Sequence, residues 1–381
     1  MPSTRSGPLD GIQVIELANY VSGPFATMML GDLGADVIKV EPPKGDPLRS
    51  LGRDQAGVSP VFVSSNRGKR SVCLNLKLHD AQMELKRLLA TADVLVSNWR
   101  PAVAARLGLV DDELAKANPR LIRVYVSGFG PDGPLADAPS FDSIIQARLG
   151  WTHGYTPDSE PSLATSYVVD KMSAAMVCQA TLAALVARER LGVAERVDIS
   201  MLDANAYTNF PDIMANRTFV ARQPDEARNL HAAALRPIEA SDGWVVVAPV
   251  SSHQIRRACL AVGREQLGDE LLAMDDAVQL TKRFFNEIEF ATRRHTVAHW
   301  LATFATFDVP AAPCSSLDEH LDDEQVRHNE LYSLTEWAGL GPVRHVRYPA
   351  KFSTWGYLRA RSGPPTIGEH SQEILTGSTD A

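Results

Sequence analysis

Asp170 follows the extended stretch Thr165-Ser166-Tyr167-Val168-Val169 and heads a small-residue, apolar run, 171 to about 190, that reads as a helix. A carboxylate in the first turn of a helix faces unpaired backbone N–H groups and the positive end of the helix dipole, which favour its ionised form. An ionised carboxylate is a nucleophile toward an activated acyl group. Taken alone, Asp170 is more simply a helix N-cap. Its chemistry therefore depends on what the rest of the chain supplies.

The elements that would position Asp170 follow a regular alternation. Residues 12–17 are β-rich, 26–33 helical and 35–40 β-rich again, which makes a β–α–β beginning. A helical stretch at 80–90 precedes a strand at 93–96, and another at 111–116 precedes a strand at 121–126. This pattern predicts an α/β fold with a mostly parallel sheet covered by helices. The turn after the first strand, 18–24, lacks G-x-G-x-x-G, so the architecture is Rossmann-like without the dinucleotide fingerprint and does not imply NAD. After the segment around Asp198 the character changes. Residues 210–228 are polar and rich in breakers, 245–248 read as a strand, charge-dense helical sequence runs to about 307, and 309–314 is extended.

At 381 residues the chain exceeds what one hydrophobic core usually spans, so two domains are expected. The boundaries are a large domain over 1–205, a linker over 206–228, a smaller α/β domain over 229–325, and a C-terminal return to the large domain over 326–381. Charges of both signs are interspersed, and 38 Lys and Arg against 46 Asp and Glu give −8, which offers no general field for nucleic acid. Cys73, Cys178, Cys259 and Cys314 are scattered without CxxC spacing, so neither a disulfide framework nor a zinc site is expected. Residues 1–7 lack an apolar h-region, and the run 172–187 is too short to span a bilayer. A cytoplasmic enzyme without a membrane partner is the expectation.

A series of segments gives Asp170 its company: Pro8-Leu9-Asp10-Gly11, Gly23-Pro24-Phe25-Ala26, Asp32-Leu33-Gly34-Ala35-Asp36-Val37-Ile38-Lys39-Val40-Glu41, Asn66-Arg67-Gly68-Lys69-Arg70, Leu74-Asn75-Leu76-Lys77, Asn98-Trp99-Arg100-Pro101, Arg106-Leu107-Gly108, Ser127-Gly128-Phe129-Gly130, Phe141-Asp142, Val197-Asp198-Ile199-Ser200, and Gly368-Glu369-His370. Their order and spacing resemble the class III coenzyme A transferases, the CaiB/BaiF family of formyl-CoA transferase and crotonobetainyl-CoA:carnitine CoA-transferase. The resemblance covers the whole chain. It implies a Rossmann-like large domain, a smaller central domain and an interlocked homodimer.

The same resemblance implies that Asp170 is the nucleophile. It also implies that acyl-CoA is met by Val21, Ser22, Leu74, Asn75, Lys77, Asn98, Trp99, Arg100, Arg106 and Phe141, with no metal and no permanently bound cofactor. Arg100 and Arg106 suit phosphate oxygens, since guanidinium offers a planar fork of charge-assisted donors, although a single exposed cation more often only solvates a face. The cations of 66–70 rank below Arg106. Trp151, His153, Tyr155 and residues 229–236 are expected on the acceptor side, with Arg236 as a carboxylate clamp. In the expected mechanism Asp170 attacks the donor thioester to give a mixed anhydride, CoA thiolate converts that to an aspartyl-CoA thioester, and the acceptor acid repeats the sequence in reverse. Backbone N–H groups near Ser22-Gly23 and the Asp170 helix start would stabilise the oxyanions.

Val21, Pro42 and Pro139 depart from formyl-CoA transferase, as does the lack of a glycine-rich loop between Asn229 and Trp244, and these departures argue against formyl and oxalate substrates. The α-methylacyl-CoA racemases share the fold and pair the Asp with a His at the place of Phe141. Phenylalanine exchanges no proton, so a two-base racemisation is disfavoured. A CoA-binding module in which Asp170 only caps a helix is the remaining alternative.

Overall fold

A computed structural model describes residues 7–52, 57–153, 160–221, 235–360 and 362–376. The chain divides into two compact units, one of residues 1–152, 161–209 and 329–381, the other of 153–160 and 210–328.

The first unit is built on six strands: β1 (Gln13–Leu17), β2 (Asp36–Glu41), β3 (Arg70–Cys73), β4 (Val94–Ser97), β5 (Ile122–Ser127) and β6 (Arg196–Ser200). They form one sheet in the order β3-β2-β1-β4-β5-β6, parallel at every pairing. The helices between them are α1 (Ser22–Asp32), α2 (Pro60–Asn66), α3 (His79–Thr91), α4 (Pro101–Arg106), α5 (Asp111–Ala117), α6 (Asp142–Arg148) and α7 (Val168–Leu191), and α8 (Met201–Thr208) follows β6.

Period-two alternation sorts the residues of the inner strands β1, β2 and β4 between two cores. Val14, Val37, Val94 and Val96 pack with residues of α1 and α7, whereas Ile15, Ile38, Val40 and Leu95 pack with residues of α3, α4 and α5. Both faces are covered, which is why the strands read as nearly unbroken apolar runs. At 24 residues α7 is by length and composition alone enough to cross a membrane, more than the apolar run in the sequence implied. Its buried face, with Val169, Ala174, Val177 and Leu185, belongs to the protein core.

The strand order reverses between β1 and β4, and in open parallel sheets ligands bind in the crevice at the carboxyl ends of strands flanking such a reversal. The far edge, β3, is closed by the C-terminal segment. The His370 amide donates to the Ser71 carbonyl at 2.9 Å, the Ser71 amide to His370 Nδ1 at 3.2 Å, and the Gly368 amide to Ser71 Oγ at 3.0 Å. Gly368 has φ +68°, and a Cβ there would lie 2.9 Å from the Cys73 Cβ, so only glycine permits this docking.

The second unit carries three antiparallel strands, Ile238–Ala240, Gly243–Val247 and Ala311–Pro313, with helices Ser252–Ala261, Leu267–Leu272, Ala277–Thr292 and Val297–Thr306. Ile238, Val245, Phe284, Ile288, Trp300 and Phe304 form its core. The buried Trp300 indole N–H donates to the Thr292 carbonyl at 2.7 Å, which joins two of these helices.

Candidate active site

Helix α7 begins at Val168, earlier than the expected residue 171, so Val168 and Val169 are helical although their β-branched side chains read as strand. Tertiary packing decides the matter, because Val169 is fully buried in the core. Asn205, fully buried on α8, reinforces this turn: its Nδ2 donates to the carbonyl of Val169 at 3.2 Å and to Ser173 Oγ at 2.9 Å.

Asp170 is the third residue of α7 and half-buried. Its own amide, one of the first-turn donors without an intrahelical partner, donates to Asp142 Oδ2 at 3.0 Å. Asp142 opens α6 in turn, and its Oδ1 accepts from Gln146 Nε2 at 2.5 Å, while Gln146 Oε1 accepts from the Ala164 amide at 2.9 Å. A relay of buried polar groups thus fixes the turn that carries Asp170. Burial, and next the Asp142 carboxylate, push the Asp170 carboxyl up to about 7. This corrects the expectation that the helix terminus holds Asp170 ionised: a second carboxylate has taken its amide, and desolvation favours the neutral form.

The loop after β1 meets the same neighbourhood. Asn19 and Asn98 clasp across the strand reversal, the Asn19 amide donating to Asn98 Oδ1 at 3.0 Å and Asn98 Nδ2 to the Asn19 carbonyl at 2.7 Å. Tyr20 sits at φ +63°, a conformation costly for a bulky residue, and packs edge-on to Phe141 with ring centroids 5.3 Å apart. Phe141 immediately precedes Asp142. The contact therefore links the loop after β1 to the carboxylate that holds Asp170. At Gly128 a Cβ would fall 1.9 Å from Ser140 Oγ, so glycine lets the loop after β5 press against the residues leading into α6.

Val21 and Ser22 are buried at the start of α1, whose N-terminus has no side-chain cap. Leu74 is buried, Asn75 half-buried and Lys77 exposed in the turn after β3; Trp99 is half-buried and Arg100 exposed after β4. Because all six strands run parallel, these positions lie at one edge of the sheet. Arg100 Nη1 donates to the Asp137 carbonyl at 3.1 Å. Arg106, in the last turn of α4, is exposed and has no ion pair among the described residues.

The cations of 66–70, ranked below Arg106, are engaged inside the protein: Arg67 pairs with Asp32 at 2.5 Å, Lys69 with Glu16 at 2.7 Å, and Arg70 with Asp36 at 2.5 Å and Glu373 at 2.8 Å. Arg236, read as an acceptor clamp, spends its fork on Glu289 at 2.9 Å and Asn286 at 3.1 Å within the second unit. Trp151 packs beside the core of the first unit. The side chain of His153, Tyr155, and residues 229–234 lie outside the described residues.

Sequence reasoning missed Gln146 and a buried charge cluster formed by Glu16, Lys39, Asp46 and Lys69. Burial works against the charge on Glu16, yet Lys39 and Lys69 outweigh it and bring that carboxyl down to about 2. Burial lowers the Lys69 ammonium to about 8. A Glu and a Lys set inside otherwise apolar strands, Val-Ile-Glu-Leu and Val-Ile-Lys-Val, were the available signal.

The model of CoA-transferase family III matches residues 9–371. The chain belongs to that family. The transferase is 33% identical to the succinate–glutarate CoA-transferase of Agrobacterium fabrum, over 98% of this chain and 96% of the relative. It is 32% identical to the acetyl-CoA:oxalate CoA-transferase of Acetobacter aceti, again over 98% and 96%. Among solved structures, a CAIB/BAIF family protein from Brucella suis superposes with a TM-score of 0.83 at 27% identity, covering 98% of this chain and all of that one. The α/β class with a mostly parallel sheet, expected from the sequence, is observed with six parallel strands, in a fold that matches this family's solved structure. The transferase accordingly moves CoA from a CoA thioester.

Proposed function

We propose that the transferase passes CoA from an acyl-CoA to a carboxylic acid through covalent intermediates on Asp170. The observation that carries this reading is a half-buried carboxylate left free to react. Among the described residues no cation or donor engages the Asp170 side chain, while its backbone is pinned through Asp142. With the carboxyl near 7, both protonation states are populated at neutral pH, and the ionised form is more basic, hence more nucleophilic, than an ordinary carboxylate.

In the first step an Asp170 oxygen attacks the donor thioester carbonyl, the C–S bond breaks, and CoA leaves as thiolate from a mixed anhydride. The thiolate then attacks the aspartyl carbonyl, releasing the donor acid and leaving an aspartyl-CoA thioester. Acceptor carboxylate displaces CoA to form a second anhydride. Returning thiolate attacks its acceptor carbonyl, which yields the new acyl-CoA and frees Asp170. Each addition develops an oxyanion, and the uncapped first-turn amides of α1 at Ser22 and Gly23 are the donors this reading assigns to it. Arg100, Arg106 and Lys77 supply charge for the phosphates of CoA. Phe141, 54% exposed, offers an apolar wall beside the thioester and no second base, so the reading is transfer and not racemisation.

The relative named for succinate and glutarate makes longer dicarboxylates the first acceptors to try, with oxalate, which the sequence departures argue against and for which another relative is named, as the contrasting acid. A cytoplasmic homodimer is part of the same proposal. Incubation with acyl-CoA and hydroxylamine tests it: the expected product is protein carrying a hydroxamate at Asp170, and a peptide of unchanged mass in a preparation that still turns over would sink the covalent route.

A further inference from the structure

The loop after β1 rests on a cluster of four charged side chains, all buried: Glu16 and Lys39 are 0% exposed, Asp46 1% and Lys69 2%. Two carboxylates face two ammonium groups, so the cluster is neutral as a whole. Lys39 Nζ donates to Glu16 Oε1 at 2.6 Å, to Asp46 Oδ2 at 2.9 Å and to the Ala18 carbonyl at 2.9 Å. Lys69 Nζ donates to Glu16 Oε2 at 2.7 Å, to Asn66 Oδ1 at 2.9 Å and to the Pro24 carbonyl at 2.7 Å. Asp46 Oδ1 accepts from the Tyr20 amide at 3.2 Å. Each ammonium thus uses all three donors, and each spends one on a backbone carbonyl at an end of the segment 18–24.

Such a cluster is a poor source of stability, since well-packed apolar side chains of similar volume usually do as well. What it supplies is direction. Its three backbone contacts to segment 18–24 fall at Ala18, Tyr20 and Pro24, around the one residue of this loop held in the left-handed region, while Asp46 Oδ1 also accepts from the Leu48 amide at 2.9 Å. A further set of bonds ties it to the C-terminal return: the Asp46 amide donates to Glu41 Oε2 at 3.0 Å, Ser71 Oγ donates to Glu41 Oε1 at 2.8 Å, and Arg49 bridges Glu41 Oε1 at 2.7 Å and the Pro365 carbonyl at 2.9 Å.

We propose that Lys39, Glu16, Asp46 and Lys69 are positioning residues that hold segment 18–24, with its left-handed Tyr20, in the shape that presents the Ser22 and Gly23 amides. The catalytic consequence rests on reading this loop as the thioester segment; the positioning itself does not. The partner-free alternative is that the Tyr20–Phe141 ring contact holds the loop and the cluster only adds to global stability.

Hydrogen exchange of the full-length protein separates the two. Asp46→Asn keeps the shape of the side chain but removes the charge facing Lys39. It should speed exchange in the peptide spanning 18–24 by tenfold or more while peptides from β4 and α7 exchange as in wild type. Uniform acceleration, or an unchanged 18–24 peptide, overturns the proposal. Tyr20→Gly leaves the cluster intact and accepts a positive φ freely. Its 18–24 peptide should stay protected within about twofold, and exposure there would assign the loop to the aromatic contact instead. In turnover, Asp46→Asn should lower kcat at least fivefold with a smaller change in donor KM. A wild type that transfers CoA to no acid would end the functional reading and leave the exchange result to stand or fall separately.

Discussion

Replacing Asp142 by Asn removes one negative charge from beside Asp170 and leaves an oxygen for the Asp170 amide, while its Nδ2 faces Gln146 Nε2 donor to donor, so the bond to Gln146 is given up. Asp142 Oδ2 lies 3.0 Å from the Asp170 amide nitrogen, so the two carboxyl groups are neighbours. Like unit charges about 4 Å apart repel by about 1 kcal/mol in a water-like medium and about 4 kcal/mol at an effective dielectric of about 20; because Asp142 is only the second cause of the shift, the lower end, about one pKa unit, is the expected effect. Burial remains the larger cause of the raised value, so the carboxyl should move from about 7 part of the way back toward its ordinary range. The reacting form is the anion, so activity rises with pH through the folded pKa. Asp142→Asn should shift this ascending limb down by about one unit, raising kcat/KM about fivefold at pH 6. The high-pH plateau should fall modestly, because a less basic carboxylate is a weaker nucleophile. The two profiles therefore cross. An Asp142→Asn limb that stays in place, or moves to higher pH, would refute the tuning of Asp170 by Asp142.

The raised carboxyl also carries a stability signature. Its folded value of about 7 lies above the 3.8 of an ordinary aspartate, so stability is fully present below the lower value and is lost as pH rises through the higher one. Asp170→Asn should therefore be inactive yet more stable than wild type at pH 8, on the order of 1–2 kcal/mol after allowance for solvent screening, with the gain gone near pH 4 by thermal melting. Arg106→Ala should weaken CoA binding and flatten its salt dependence, since one exposed phosphate contact is lost; calorimetry at two ionic strengths checks this, and unchanged affinity at low salt would assign Arg106 to the fold.

The alternating strands and helices were legible because β1, β2, β4 and β5 are buried on both faces and read as apolar runs. Observed bounds fall within a few residues of the expected ones for β1, β2, β4 and β5. Strand β3, Arg70–Cys73, was not expected as a strand, because its short sequence lies in a cation-rich stretch; its arginine pairs with Asp36 and Glu373. Local spacing cannot say whether a lysine points to solvent or inward. That is why Lys69 could only be ranked with the cations of 66–70, and its burial against Glu16 was not readable. Asp170 was found through the segments around it, but its protonation was not, because its burial is set by tertiary packing and its second cause, Asp142, is 28 residues away in sequence. Gln146 lies one helical turn beyond Asp142, a spacing that places the two on one face and was there to be read.

The central claim is that the carboxyl oxygen of Asp170 enters and leaves the covalent intermediates. Turnover with an acceptor acid labelled in both oxygens with heavy oxygen tests it most directly, because the oxygen bridging the second anhydride belongs to the acceptor and stays on Asp170 when CoA thiolate releases the product. Mass analysis of the peptide containing Asp170 should show the label accumulating only when donor, acceptor and active protein are all present. Sustained transfer to the labelled acid with Asp170 still unlabelled would contradict the account.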